Sequence, residues 1–143
     1  MKDNIFTILK DEHDTVKKAF KNVLKKNSEE DFDIIKTDLM THLNGEEECI
    51  YPVLEDHEEL RDLILESYEE HRHAKMILNE IMNMQMDEEE FKPKLKVLMD
   101  MVEHHIHEEE KNVFPKAKKL ISKEEINQIT IDYINGKAYS IPA

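Results

Sequence analysis

Apolar residues recur at three- and four-residue steps along most of this chain, the period of an amphipathic helix, and they sort into four long seams. The first runs through Phe6, Leu9, Val16, Phe20 and Val23 and ends near Lys26-Asn27. The second opens at Ser28, where Ser-Glu-Glu-Asp reads as a helix start. It continues through Phe32, Ile35, Leu39, Cys49 and Val53 to about Asp56. The third carries Leu60, Ile64, Ser67, Ala74, Leu78 and Ile81 and stops within the methionine-rich stretch 82–86. The fourth begins near Asp87-Glu88 and carries Phe91, Leu95, Leu98, Val102, Asn112 and Val113. Pro93 falls in its first turns, where a missing N–H does little harm. Short connections between such segments predict an all-α, up-down-up-down four-helix bundle. Beyond it, Ser122-Lys-Glu-Glu125 is a capping box leading into a short C-terminal helix with Ile126, Ile129 and Ile134, for which Gly136 is the expected stop. The organisation expected is a bundle over 1–121 and a helical extension and tail over 122–143. That extension either caps one end of the bundle or contacts another subunit.

Every seam is interrupted by residues that do not belong in an apolar core. The missing step between Leu9 and Val16 is His13; between Leu39 and Cys49 stand His42 and Glu46; between Ser67 and Ala74, His71; between Val102 and Asn112, His105 and Glu109. An i, i+4 spacing turns a helix by about 400°, so each His-x-x-x-Glu pair shares one face. Heights agree as well: at 1.5 Å rise per residue, His13 lies about 14 residues before the first turn and His42 about 15 after it. His71 and His105 lie about 15 and 18 residues from the third turn, so all these groups fall in one slab within about a turn of helix. Burying so many polar groups is costly unless something satisfies them.

The chain also repeats itself. His-Leu-Asn-Gly-Glu-Glu-Glu-Cys-Ile-Tyr-Pro (42–52) aligns without gaps onto His-Ile-His-Glu-Glu-Glu-Lys-Asn-Val-Phe-Pro (105–115), and Glu-His at 12–13 echoes Glu-His at 70–71. A duplicated helical hairpin closing on a pseudo-two-fold axis provides for two metal ions. Imidazole suits iron, zinc, copper and nickel, and a carboxylate can bridge two ions. Inward carboxylates with histidines in a helical bundle are the arrangement of di-iron and di-manganese centres. The expected arrangement sets His13 and His42 on one ion and His71 and His105 on the other, with Glu46 and Glu109 as bridges. Two six-coordinate ions offer about twelve positions; these ligands fill about eight, an oxo or hydroxo bridge two more, and about two stay open for O2, peroxide, nitric oxide or water.

Composition narrows the setting. Only two glycines and four prolines leave little for turns, and the net charge of −13 argues against nucleic acid and against an anionic membrane surface. No apolar run approaches a membrane span, and one cysteine, Cys49, permits no internal disulfide, which fits a reducing cytoplasm. Cys49 reads as a buried, inert thiol, Tyr51 and Phe114 as packing residues (Tyr51 with a hydroxyl able to hydrogen-bond to the site), and the methionines as core filler. Glu47 and Glu110 read as support for the ligands or as surface, Glu12 and Glu70 as solvated, and His73, His104 and His107 as lying off the seams.

The paired H-x-x-x-E-E-x-x-x-[YF]-P signature at 42–52 and 105–115, with Glu-His-Asp at 12–14 and Glu-His-Arg at 70–72, resembles the hemerythrin-like (HHE cation-binding) domains over residues 1 to about 125. The resemblance implies a non-haem di-iron site that meets oxygen, nitric oxide or peroxide, or reports iron. Oxygen-carrying members place a further His where this chain has Lys75, and use His-x4-Asp where it has His105-x-x-x-Glu109, which turns the expectation away from reversible carriage. The expected function is therefore binding or sensing of O2 or nitric oxide at two iron ions. The alternatives are a di-iron peroxidase, oxidase or nitric-oxide-scavenging enzyme, and an iron storage or donation protein. Zinc or manganese is an alternative occupant. The expected partners are a small diatomic ligand or peroxide, with a homo-oligomer or protein partner left open.

Overall fold

The computed structural model describes residues 4–140, with side chains through residue 136. Helix α1 spans Ile5–Lys26; α2 runs over 29–55, α3 is Glu58–Met82, α4 runs over 91–120 and α5 is Lys123–Ser140. No strand occurs among the described residues, and no helix there is long and apolar enough to cross a membrane.

Local chemistry sets the helix ends. The Asn4 side chain accepts the N–H groups of Phe6 and Thr7 at the start of α1, and Asn27 takes the left-handed conformation (φ 53°) that stops it. Ser28 then caps α2 by accepting the Asp31 N–H at 3.1 Å, with Glu29, Glu30 and Asp31 favourably placed at the positive end of the helix. The fourth helix starts at Phe91 rather than near Asp87-Glu88. The Phe91 N–H bonds to the Glu88 carbonyl at 3.1 Å, and the Glu88 carboxylate accepts the Gln85 N–H at 2.5 Å. Glu88 thus belongs to a tight turn and not to a first helical turn.

The core lies in two blocks. One gathers the C-terminal half of α1 (Val16–Val23), the first half of α2 (Phe32–Leu43), the end of α3 (Ala74–Ile81) and the start of α4 (Phe91–Ile106). The other gathers Ile5 to Leu9, Ile50 to Leu54, Leu60, Ile64 and Val113 to Ile121, together with Ile129 and Tyr133 of α5. Each of the helices α1 to α4 passes from one block to the other in alternating direction, which is the up-down-up-down arrangement, while α5 packs on the second block alone. All of the predicted polar interruptions lie between the blocks.

Two details depart from the sequence reading. Beyond Glu46 and Glu109 the seam passes through Ile50, Leu54, Val113 and Ala117, leaving Cys49, Val53 and Asn112 only partly buried. The cause is a π-helical turn at Glu46–Ile50 and another at Glu109–Val113, each of which inserts one residue and shifts the apolar phase by one position. The C-terminal helix does form behind its capping box, with the Ser122 Oγ accepting the Glu125 N–H at 3.1 Å, but it does not stop at Gly136. No glycine has a positive φ. Gly136 lies inside the helix beside Cys49, where an added Cβ would make an ordinary contact with the sulfur at 3.6 Å.

Candidate metal centre

A further π turn lies at Ile35–Leu39, but the two that begin at Glu46 and Glu109 are where the motif acts. In an unbroken α-helix the rings of Pro52 and Pro115 would press on the carbonyls four residues back. Widening the turn relieves this, and the N–H groups of Tyr51 and Phe114 reach back five residues to the carbonyls of Glu46 and Glu109. Each wide turn begins at the glutamate of a His-x-x-x-Glu pair and directs its carboxylate into the bundle. The Glu46 and Glu109 side chains are both 0% exposed.

His13, His42, Glu46, His71, His105 and Glu109 are all buried and meet at one level. Ligand-capable atoms of His13, His42, Glu46 and Glu109 lie within 4.8 Å of one another, and so do those of Glu46, His71, His105 and Glu109. The two carboxylates are common to both groups. His13 Nε2 stands 3.2 Å from Glu109 Oε1, His42 Nε2 3.5 Å from Glu46 Oε1, His71 Nε2 3.1 Å from Glu46 Oε1 and His105 Nε2 3.3 Å from Glu109 Oε2. Four of these buried atoms have no hydrogen-bond partner: His13 Nε2, His42 Nε2, Glu46 Oε2 and Glu109 Oε1. Orphaned polar atoms of this kind are rare in folded proteins, and a cation among them satisfies all four.

Behind the cluster stands a ring of carboxylates. His13 Nδ1 is 2.7 Å from Glu110, His42 Nδ1 2.7 Å from Glu12, His71 Nδ1 2.8 Å from Glu47 and His105 Nδ1 2.7 Å from Glu70. A carboxylate at Nδ1 draws the ring proton to that side and leaves Nε2 as a free lone pair pointing inward, the usual support for a metal-binding imidazole. Glu12 and Glu70 therefore do not stand solvated, as the sequence led one to expect; each precedes one histidine and anchors another on the neighbouring helix. Lys75 also acts here, its Nζ 2.8 Å from the Glu47 carboxylate that holds His71. His73, His104 and His107 point to solvent.

Electrostatics agree with a site that calls for positive charge. Burial pulls the His13, His71 and His105 imidazoles down, yet the neighbouring carboxylates, chiefly Glu109 for His13 and His105 and Glu46 for His71, hold all three above the ordinary value, His105 most of all. Burial likewise pushes the Glu109 carboxyl up, but the charge and hydrogen bond of His105, helped by His13, keep it well below the usual carboxylate range. In the metal-free protein, protons on these imidazoles supply positive charge beside the buried Glu109 carboxylate.

Tyr51 proves more than a packing residue. It is fully buried, its hydroxyl donates to Glu109 Oε2 at 2.6 Å, and the oxygen lies 3.0 and 3.2 Å from His71 and His105 Nε2 and 3.2 Å from Glu46 Oε1. Burial and the two carboxylates raise its phenol well above the ordinary value, so it stays protonated and a donor. The matching residue, Phe114, faces His13 with nearly parallel rings, 8° apart and 6.2 Å between centroids. The only sequence sign of this was that the echo pairs a Tyr with a Phe.

Comparison with known proteins agrees with the geometry. The family described as Hemerythrin HHE cation binding domain matches residues 4–117, and the chain belongs to it. It is 27% identical over 139 residues to a DNA nickase of Nostoc sp., covering 94% of this chain and 39% of that protein. It is 33% identical over 90 residues to an uncharacterized hemerythrin-like protein of Schizosaccharomyces pombe, covering 62% of this chain and 44% of that one. The chain thus spans less than half the length of either relative. A hemerythrin HHE cation binding domain-containing protein from Mycobacterium kansasii superposes with a TM-score of 0.80 at 22% identity, covering 96% of this chain and 86% of that one, which establishes the fold.

Proposed function

We propose that this is a non-haem di-iron protein that binds or senses O2 or nitric oxide, with His13 and His42 on one ion, His71 and His105 on the other, and Glu46 and Glu109 as bridges. The observation that carries the reading is the pair of four-residue groups sharing two fully buried carboxylates, with unpartnered imidazole and carboxylate atoms facing inward. Iron in such a site supplies open coordination positions and accessible oxidation states to a small ligand. The protein's own contribution is to fix the imidazoles by their outer carboxylates, to exclude bulk water by burial, and to present the Tyr51 hydroxyl. The donor set accepts zinc or manganese as well, so metal identity is the first thing to measure. A DNA-related role belongs to the name of one longer relative. With a net charge of −13 this chain has no basic surface balance to support it, and its proposed partner is a small molecule. The lone cysteine fits a reducing compartment such as the cytoplasm.

Anaerobic loading with Fe(II), metal analysis, and absorption spectra after separate addition of O2, azide and nitric oxide test the reading. About two irons per chain and new ligand-dependent bands are expected; full metal retention in a His42→Ala, His105→Ala double variant would sink it. The Tyr51 hydroxyl favours one second reading, catalytic turnover of peroxide or nitric oxide, because a buried proton donor stands beside the His71/His105 position. Turnover above the rate of free iron that falls in Tyr51→Phe supports that alternative.

A further inference from the structure

Helix α5 lies outside the repeated hairpins, yet it reaches their centre. Tyr133 is 0% exposed, and its hydroxyl donates to Glu12 Oε1 at 2.5 Å. The same oxygen stands 2.7 Å from His42 Nδ1. The ring enters through a gap left by Gly45, whose missing Cβ would fall 2.5 Å from Tyr133 Cε1. A second tie lies one turn back along α5, where the Thr130 hydroxyl accepts the Ile5 N–H at 2.9 Å and satisfies one of the free donors at the start of α1. For packing alone a phenylalanine would serve at 133; a buried phenol must spend its hydroxyl on a partner, and here it spends it on the carboxylate that orients a metal-competent histidine.

The other hairpin lacks this arrangement. Glu70 holds His105 at the same 2.7 Å, but its second oxygen faces the exposed His104, 3.7 Å away. One anchoring carboxylate is thus clamped by a buried phenol and its counterpart faces only an exposed imidazole, although the two side chains are similarly shielded, 17% and 24% exposed.

We propose that Tyr133 is a positioning residue of the metal centre: through Glu12 it fixes His42, which makes α5 part of the centre and the His13/His42 position the more rigidly preset of the two. This rests on the metal reading given above. Tyr133→Phe in the full chain keeps the ring and removes only the hydroxyl. Chelator competition with Fe(II), and separately Zn(II), is expected to show one of two ions held about tenfold more weakly, the lower end of effects at groups supporting metal ligands. The second ion should be unchanged. Tyr133→Phe should add nothing in a Glu12→Ala background, where the accepting oxygen is gone, because the two residues act in series. Unchanged affinity for both ions overturns the proposal, as does equal weakening of both in step with a lower Tm, the mark of a merely structural residue. In metal-free protein, the 15N and ring-proton signals of His42 should move in Tyr133→Phe while those of His105 stay. Wild-type protein that takes up fewer than two ions would defeat the metal reading, and the His42 signals still decide whether the Tyr133 link exists.

Discussion

The two hairpins carry the same instruments in different settings. Offset for offset, His13 matches His71, His42 matches His105, Glu46 matches Glu109, and the supporting pairs match too: Glu12 to His42 as Glu70 to His105, Glu110 to His13 as Glu47 to His71. Each half also opens a π turn at its glutamate and closes it just before a proline. The differences lie one layer further out. The first half has a phenylalanine against its histidine and α5 clamped on its outer carboxylate. The second has the Tyr51 hydroxyl among its imidazoles, and an outer carboxylate that faces the exposed His104 instead of a buried phenol. On the proposed metal reading, symmetry would serve the holding of two ions, which needs the same donors twice, and asymmetry would serve what is done with them.

The largest effects should come from residues common to both halves. Glu46→Ala or Glu109→Ala removes a donor from both four-residue groups, so either should abolish retention of both ions. His42→Ala or His105→Ala touches one group and should spare one ion. Metal analysis after gel filtration reads the difference. Equal loss in all four variants would show that the halves are not separable.

Acid and alkali probe the metal-free state next. The raised values of His13, His71 and His105 mean that their stabilising contribution is fully present below the ordinary 6.5 and is lost as pH rises through the folded values. The depressed Glu109 works the other way: its contribution is present above the ordinary 4.5 and is lost as pH falls through the folded value. Denaturant midpoints of the metal-free protein should therefore peak between the two ranges and fall on both sides, with the His105 contribution persisting to the highest pH. Metal must displace those protons, so loading should tighten with pH and remove the alkaline decline. A metal-free protein with no alkaline decline would refute this account of the site.

Exchanging the residues that distinguish the halves has a smaller effect. Tyr51→Phe removes the shorter of two contacts to buried Glu109 Oε2, leaving His105 Nε2 at 3.3 Å, and should cost about 1 kcal/mol in the metal-free protein, measured by chemical denaturation. In iron-loaded protein it should alter the azide- and nitric-oxide-dependent spectra while leaving two ions bound. Identical spectra would mean that the hydroxyl does not face the bound ligand.

Much of this was legible in the sequence because helical periodicity is strict: residues such as Val16, Leu39, Ala74 and Val102 define faces, and a histidine on such a face must be buried. What escaped were features that break the period or act across helices. The π turns shift the phase by one residue, so Cys49 and Val53 seemed inward where Ile50 and Leu54 are. Glu12 and Glu70 lie off the seam of their own helix and find their histidines on a neighbour, a pairing that spacing along one helix does not encode. Tyr133 reached the site from a helix whose apolar pattern showed only that it could pack.

The prolines that end the two wide turns test the comparison most finely. An interior helical proline ordinarily costs about 3 kcal/mol, so its replacement by alanine would ordinarily stabilise. Here the lower core, through Ile50, Leu54, Val113 and Ala117, is packed in the shifted phase and opposes return to a regular helix, which would rotate those residues by about 100°. Pro52→Ala and Pro115→Ala should therefore gain little stability and instead loosen the carboxylate each turn aims, weakening metal retention by less than about tenfold. The turn before Pro52 is also held from outside by α5, with Tyr133 seated against Gly45 and Gly136 beside Cys49, whereas no glycine stands at the turn before Pro115 to admit an α5 ring. Pro115→Ala should accordingly speed amide exchange at Phe114 more than Pro52→Ala does at Tyr51, and should weaken metal retention more. Equal effects in the two variants would mean that α5 does not stiffen the half it covers.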